Sequence, residues 1–258
     1  MSLLIQHSVK LTRMTLLVFV MVSCSSPSAH EIAYSWSPVK ISTEIESAGE
    51  IESVIKPYRE KLDSIMNEEI GYALHDLTNE GHYETTLGTF VTRLLMEQSA
   101  AEFNIEIDVA VMNHHGGLRA PINQGPITLG EVFAVMPFEN EMRLLEVSGD
   151  QLTEVIEYIG RSGRSMIWPV SFHVDESGIE NIRVNGKEIQ SEKTYIMAIS
   201  DYLANGGSGF DMLSPLKRMD VKPVKVRDMI VSEIKQQTAK GDSIAVTVAN
   251  LITESNNQ

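Results

Sequence analysis

Cysteine and basic residues are scarce in this sequence, and each shortage excludes a class of protein. Cys24 is the only cysteine in 258 residues, so the chain after it can form neither an intramolecular disulfide nor a thiolate metal cluster. Lysine and arginine total 21 against 35 acidic residues, for a formal net charge of -14. Because polyanion binding needs a concentrated basic face, we expect no nucleic-acid partner. A small anionic ligand is still compatible with this charge, since one local cation can bind it.

The N-terminus has the features of a bacterial export leader. Lys10 and Arg13 precede an apolar run at 15–22, which is too short for a permanent membrane span, and Cys24 follows a small residue. One interpretation is a lipoprotein signal peptide at 1–23 with lipidated Cys24 as the mature N-terminus; the other is an ordinary secretory peptide. The first predicts a protein of the bacterial cell envelope, anchored only by lipid to the outer membrane and facing the periplasm or the exterior.

The rest of the chain predicts one folded domain after a tether. Residues 24–47 are polar and aperiodic, whereas 48–258 carry the periodic segments. Hydrophobic content of 43% is enough for one substantial core. Predicted helices lie at 51–65, 87–103, 128–135, 150–159 and 226–237, with Thr85 or Thr86 and Thr128 as candidate caps of the second and third. Predicted strands lie at 108–112, 141–147, 170–174, 179–184 and 195–200, and Asn185-Gly186 predicts a hairpin turn between 182–184 and 187–189. We expect a compact α+β domain of mixed sheets covered by helices, with the first helix lying on a sheet.

Three loops carry the pattern of a binding surface. Residues 111–119 read VMNHHGGLR, 137–140 read PFEN and 201–210 read DYLANGGSGF. Each joins a strand-like run to a turn that carries an aromatic or cationic side chain, and two of the three contain adjacent glycines. In this order the loops resemble the C-terminal, substrate-recognising domain of the bacterial 5'-nucleotidase and UDP-sugar hydrolase family. The resemblance covers about residues 51–234.

The resemblance implies ligand-binding roles for four residues, each of which also has an ordinary structural explanation. Phe138 and Tyr202 would sandwich a nucleobase, although an aromatic side chain near a strand end is usually part of the core. Arg119 would bind phosphate or ribose, although a lone arginine is usually a solvated surface residue. Asn140 would contact the base edge, or it would only stabilise its turn.

Three departures from the family pattern weaken this transfer. Gly81 stands where a substrate-binding arginine is common, His114 where asparagine is common, and Ser208 where aspartate is common. We keep His114 and Ser208 as candidate substrate contacts and expect weaker phosphate binding. A metal at His114 and His115 is disfavoured, because adjacent strand side chains point to opposite faces. We therefore expect no metal or other cofactor in this chain.

Two functions from different classes follow from the resemblance. The first is a nucleotide-recognition component whose catalysis is supplied by a separate metallophosphatase, because relatives carry their two metals in an N-terminal domain that this sequence lacks. The second is a stand-alone nucleoside- or nucleotide-binding lipoprotein for uptake or sensing. A remnant that no longer binds is a third alternative, which the substitutions at Gly81 and Ser208 allow.

Overall fold

A computed structural model describes residues 36–38, 40, 42, 45, 48–219 and 221–255 of this chain. Two units can be distinguished, Met1–Gly49 and Glu50–Gln258, and the account below concerns the second. The predicted leader and Cys24 lie outside the described residues, as does most of the predicted tether. Among the described residues, no helix combines the length and apolar character needed to cross a membrane.

The second unit alternates helices and strands, with short helical turns at His114–Gly117 and Asp201–Ala204. The helices are α1 (Gly49–Met66), α2 (Thr86–Phe103), α3 (Leu129–Val135), α4 (Gly149–Ser162) and α5 (Val226–Ala239). The strands are β1 (Glu69–Ala73), β2 (Val109–Met112), β3 (Gly125–Thr128), β4 (Met142–Ser148), β5 (Met166–Trp168), β6 (Val170–Asp175), β7 (Gly178–Val184), β8 (Lys187–Glu188), β9 (Thr194–Ser200) and β10 (Ile252–Glu254).

A four-stranded sheet in the order β4-β9-β2-β5 forms the centre of this unit. Strand β2 is parallel to β9, while β4 and β5 are antiparallel to their neighbours. Alternate residues of β2 enter different cores: Ala110 packs with side chains of α2 and α5, and Val111 packs with side chains of α4. Both faces of the sheet are therefore covered by helices, and the predicted α+β class of mixed sheets is confirmed.

Two smaller sheets complete the fold. One has the order β10-β6-β7-β8, and its last hairpin turns at Asn185 and Gly186, both of which have positive φ as the predicted Asn-Gly turn requires. The other pairs β1 with β3. Strands β1, β3, β5 and β10 were not predicted from the sequence, because they are short and depend on distant partners for their pairing.

The residues at which helices begin were predicted better than the surfaces against which the helices pack. The Thr85 hydroxyl accepts from the Gly88 N–H to cap α2, and Thr128 forms a reciprocal capping box with Glu131 at α3. By contrast, none of the described side chains of α1 is buried, and the helix continues through Pro57. The expectation that α1 covers a sheet is wrong, because periodicity reveals an apolar stripe but not what packs against it.

Candidate functional site

A cavity of about 800 Å³ lies at one edge of the central sheet. The parallel strands β2 and β9 both end there, at Met112 and Ser200. Because β4 and β5 run antiparallel to them, the segments that precede β4 and β5 reach the same edge. Four segments that are distant in sequence therefore surround one cavity at the carboxyl ends of two parallel strands, a common position for ligand sites. Five of the six predicted contacts line it: Arg119, Phe138, Asn140, Tyr202 and Ser208.

Phe138 lies in the turn between α3 and β4 and is 37% exposed, so its ring is not fully buried. Arg227 holds this turn from the first residues of α5. Its Nη1 donates to the carbonyl oxygens of Met136 and Phe138, at 3.3 and 3.2 Å, and its Nη2 donates to the Glu139 carboxylate. Hydrogen bonds from Arg227 and Lys225 lower the pKa of Glu139 from 4.5 to about 2, so this carboxylate remains charged at neutral pH.

Tyr202 is 48% exposed and lies in the helical turn after β9. The Ser200 hydroxyl caps this turn by accepting from the Leu203 N–H at 3.3 Å. The Tyr202 hydroxyl accepts from the Ser208 N–H at 3.2 Å, and Gly207 lies directly against the ring. A Cβ atom at Gly207 would be 2.5 Å from the Tyr202 Cζ, so a residue without a side chain is needed there. Tyr202 is thus fixed by its own loop while much of its surface faces solvent.

Arg119 connects the loop after β2 with the Phe138 turn. Its backbone N–H donates to the Val135 carbonyl at 2.8 Å, and its guanidinium Nη1 donates to the Gly116 carbonyl at 3.3 Å. The guanidinium carbon lies 5.6 Å from the centroid of the Phe138 ring, within the range of a cation–π contact. The exposed Arg119 side chain is therefore oriented over an aromatic face instead of being free in solvent.

Asp201 orients the amide of Asn140. The Asn140 Nδ2 donates to Asp201 Oδ1 at 3.0 Å, and the same oxygen accepts from the backbone N–H groups of Glu141 and Tyr202 at 3.2 and 2.7 Å. Because a carboxylate only accepts, the amide nitrogen must face Asp201 and the amide oxygen remains available as an acceptor. Asn140 thus stabilises its turn and also lines the cavity. Asp201, which the sequence analysis did not single out, joins the two turns that carry the rings.

The glycine-rich turn 206–209 has the conformation predicted from its composition. Gly206 and Gly209 have φ values of 93° and 84°, and Ser208 itself lies in the left-handed region at 55°. The Asn113 Nδ2 donates to Ser208 Oγ at 3.2 Å, and the Tyr158 hydroxyl donates to the Ser208 carbonyl. These bonds tie the turn to the end of β2 and to α4.

His114 is the one candidate contact that does not line this cavity. Its side chain is fully buried, and its Nε2 donates to the His82 carbonyl at 3.3 Å. Burial and, secondarily, the neighbouring His115 lower its pKa from 6.5 to about 4, so the ring is neutral at pH 7. The predicted direct substrate contact is therefore corrected to a structural role, and His115 lines the cavity instead.

His114 and His115 lie in the turn that follows β2, where the backbone of His115 is not helical, and not in the strand that the metal argument assumed. Their ring centroids are 4.3 Å apart. Within the part of the chain that the structure describes, no three His, Cys, Asp or Glu side chains are grouped so that they could hold a metal ion.

Sequence reasoning did not identify several further side chains that line the cavity, among them Asn113, His115 and Arg164. Arg164 follows α4 and precedes β5, and it reaches the site because Met166 of β5 pairs with Met112 of β2. The first two lie inside the motif that was singled out and could have been included. No local signal marks Arg164, because a three-residue strand is not visible in the sequence pattern.

Comparison with known proteins agrees with the fold. A family model described as "5'-nucleotidase, C-terminal domain" matches residues 65–215, which is more than half of the chain. The chain belongs to this family.

Curated relatives and solved structures include several nucleotidases. A 5'-nucleotidase of Vibrio vulnificus is 27% identical over 71% of this chain and 36% of its own length. The trifunctional nucleotide phosphoesterase YfkN of Bacillus subtilis is 25% identical over 69% of this chain and 13% of its own. The crystal structure of a 5'-nucleotidase precursor from Thermus thermophilus superimposes with a TM-score of 0.68 at 22% identity, over 80% of this chain and 43% of that one. The chain thus corresponds to a minor part of each of these relatives.

Proposed function

We propose that this domain recognises nucleoside monophosphates or related nucleotides at the cavity that Arg119, Phe138, Asn140, Tyr202 and Ser208 line. The observation that carries the proposal is the presence of two exposed aromatic rings, Phe138 and Tyr202, in one cavity with a guanidinium group. Aromatic side chains gain stability by burial, so two exposed rings that are both held in place by their loops fit a surface built for a planar ligand.

The nucleobase stacks on Phe138 and Tyr202 in this proposal. Stacking of a base on an aromatic side chain contributes about 1 to 3 kcal/mol. The Gly207 contact and the Ser208 hydrogen bond restrain Tyr202, while Arg227 restrains the Phe138 turn. Because both loops are fixed within the protein, little conformational entropy is lost when the base binds.

Asn140 reads the base edge and Arg119 contacts the phosphate or the ribose. The Asp201 contact leaves the Asn140 oxygen as an acceptor, which favours an amino or imino N–H on the base. Arg119 and Arg164 are the cationic side chains in the lining of the cavity, and its one carboxylate, Glu139, is paired with Arg227 and Lys225. The cavity is therefore locally electropositive in a protein with a formal charge of -14.

Hydrolysis is assigned to the divalent metals of a separate metallophosphatase, to which this domain presents the bound nucleotide. Positioning of the phosphate and activation of water are separable tasks, because the first needs orientation and the second needs a metal-bound hydroxide. Lipidation at Cys24 would keep this component at the cell envelope together with its partner. The names of the relatives, which include 5'-nucleotidases, support a phosphate ester of a nucleoside as the shared ligand.

Calorimetric titration of the purified protein with adenosine and AMP tests the recognition step. We expect both ligands to bind. Phe138→Ala and Tyr202→Ala should each lower the affinity for adenosine by roughly 5- to 100-fold. Tyr72→Ala is the matched control, because Tyr72 is 47% exposed and does not line the cavity.

Thermal unfolding of the same variants distinguishes a ligand contact from a core residue. If Phe138→Ala or Tyr202→Ala destabilises the protein by several kcal/mol, that ring supports the fold and the clamp assignment is wrong. A parallel phosphate-release assay with added divalent cations tests the separation of binding from catalysis. Turnover by this chain alone would contradict the need for a separate metallophosphatase, whereas binding without turnover directs the search to a partner or to a capture role.

A further inference from the structure

A second, smaller cavity of about 380 Å³ adjoins the proposed nucleotide site. Four residues line both spaces: Asn113, His115, Arg164 and Ser208. The smaller cavity continues between the end of α4 and the glycine-rich turn, where Tyr158, Ser162, Ser165 and Gly209 complete its lining. Arg164 therefore stands at the boundary between the cavity with the aromatic rings and a polar extension of it.

The Arg164 guanidinium makes no hydrogen bond and no ion pair with any described residue, although most other described arginines pair with a carboxylate. Of the nine described arginines, Arg119, Arg164 and Arg218 have no carboxylate partner, and Arg218 instead donates to carbonyl and amide oxygens. Arg119 donates to the Gly116 carbonyl and lines the same cavity as Arg164. Because neither guanidinium is paired with a carboxylate, both arginines that line the site can bind an anion from solution.

The backbone of Arg164 is fixed although its side chain is exposed. Its carbonyl accepts from the His115 N–H at 3.2 Å, and the preceding Gly163 ends α4 in the left-handed region at a φ of 60°. One residue further on, Ser165 is buried and leads into β5. A guanidinium on such an anchored backbone can make two parallel hydrogen bonds at a defined place.

The His115 ring at this boundary is held by a backbone contact. Its Nε2 lies 3.1 Å from the Gly81 carbonyl, which can only accept, so Nε2 donates to it and is not available to a ligand. Arg164 is the one arginine or lysine in the lining of the smaller cavity as the structure describes it.

We propose that Arg164 forms a phosphate subsite in the adjoining cavity, so that a nucleotide whose base lies against Phe138 and Tyr202 is held by two guanidinium groups, Arg119 and Arg164. This proposal rests on the proposed function and names the part of the ligand that the smaller cavity takes. It differs from the sequence-based expectation of weaker phosphate binding, which counted Arg119 and the absent arginine at Gly81 but not Arg164, and the experiment below decides between the two.

Titration of Arg164→Gln with AMP and adenosine tests the subsite. We expect AMP affinity to fall about tenfold or more, because a charge-assisted bidentate contact is lost, while adenosine affinity stays within about twofold. Arg161→Gln is the matched control: Arg161 lies three residues earlier, pairs with Glu157 at 3.3 Å and does not line either cavity. Arg164→Lys should lose part of the AMP affinity, since it keeps the charge without the planar fork.

The dependence of AMP affinity on salt concentration supplies a second readout, which a change in the shape of the cavity alone would not alter. The AMP affinity of the unaltered protein should decrease with ionic strength more steeply than that of Arg164→Gln. If Arg164→Gln leaves the affinity for AMP unchanged, or lowers the affinities for AMP and adenosine equally, the proposed phosphate subsite is wrong. The proposal of nucleoside recognition is not affected by that result. If the unaltered protein binds neither adenosine nor AMP, the proposed function fails and the subsite fails with it.

Discussion

The two turns that carry the exposed rings are held in place by different physical means. The Phe138 turn is held by a charged side chain from α5, since Arg227 is only 4% exposed and bonds two carbonyl oxygens and a carboxylate. The Tyr202 turn is held within its own loop, by packing of the ring against Gly207 and by the hydrogen bond from the Ser208 N–H to the Tyr202 hydroxyl. One support is a charged side chain from a distant helix, and the other includes close packing that requires a glycine. Each turn should therefore fail under a different perturbation, although both present a ring to the same cavity.

Of the substitutions that test these two supports, removal of the Arg227 guanidinium should have the largest effect on stability. Arg227→Met keeps much of the aliphatic volume but leaves the Met136 and Phe138 carbonyls without their donor and removes the guanidinium that lies 4.1 Å from the Phe133 ring centroid. We expect the free energy of unfolding to fall by about 2 to 4 kcal/mol and adenosine affinity to fall with it. Urea denaturation and calorimetry measure the two effects.

Lys225→Met provides the control for the Arg227 substitution. Lys225 also pairs with Glu139, but its side chain is 44% exposed, so solvent screens this ion pair and its loss should cost much less stability than the loss of Arg227. Equal losses of stability in the two variants would show that the carbonyl contacts of Arg227 do not hold the turn.

The stability contributions of the His114 loop and of the Phe138 turn should be lost in different pH ranges as the solution is acidified. The folded-state pKa of His114 is about 4, below its ordinary value of 6.5, so the unfolded chain takes up this proton first as the pH falls. The stability due to neutral His114 is complete above about pH 6.5 and decreases toward pH 4. The pKa of Glu139 is lowered to about 2 from 4.5, so its contribution is complete above 4.5 and is lost only as the pH falls toward 2.

His114→Gln tests this assignment, because the glutamine amide can replace the Nε2 donor to the His82 carbonyl without titrating. Between pH 7 and 4.5 the unaltered protein should lose about 2 kcal/mol more stability than the variant. Urea denaturation at both pH values gives the comparison, in which the titration of all other groups cancels. Identical losses in the two proteins would mean that His114 is not the buried neutral group.

The sequence predicted what local chemistry determines and missed what depends on strand pairing. Thr85 and Thr128 marked helix starts, and Asn185-Gly186 marked a hairpin, because capping and turn geometry involve residues close in sequence. The burial of α1 was predicted wrongly, since an apolar stripe such as the one containing Tyr58 and Leu62 does not specify its partner. Residue type alone could not distinguish an exposed Phe138 from a core phenylalanine.

The same distinction applies to the side chains around the cavity. Arg119, Phe138, Asn140, Tyr202 and Ser208 lie in motifs that the family resemblance covers, and the structure brings them to one cavity. Arg164 and Arg227 lie outside those motifs and were missed. The first reaches the site through the β2–β5 pairing and the second through the packing of α5, and neither contact leaves a signal in the sequence around the residue.

A methyl group at Gly207 should produce the smallest of these effects and the most specific one. The added Cβ would lie 2.5 to 2.6 Å from three carbon atoms of the Tyr202 ring, well inside the roughly 3.5 to 4.0 Å of normal carbon contacts, so the ring must move. We expect Gly207→Ala to cost about 1 kcal/mol of stability and to weaken adenosine severalfold. Gly49→Ala is the control, because no described atom lies within 4 Å of a Cβ at that position.

The double variant Gly207→Ala with Tyr202→Ala isolates the contact between the two residues. If the glycine is needed because of the ring, removal of the ring abolishes the clash, and the stability costs of the two substitutions will not add. Additive costs would mean that Gly207 is required for its backbone conformation, and the Tyr202 turn would then be held by its hydrogen bonds, as the Phe138 turn is. That outcome would remove the difference between the two supports, whereas non-additivity would establish close packing as the means by which Tyr202 is fixed.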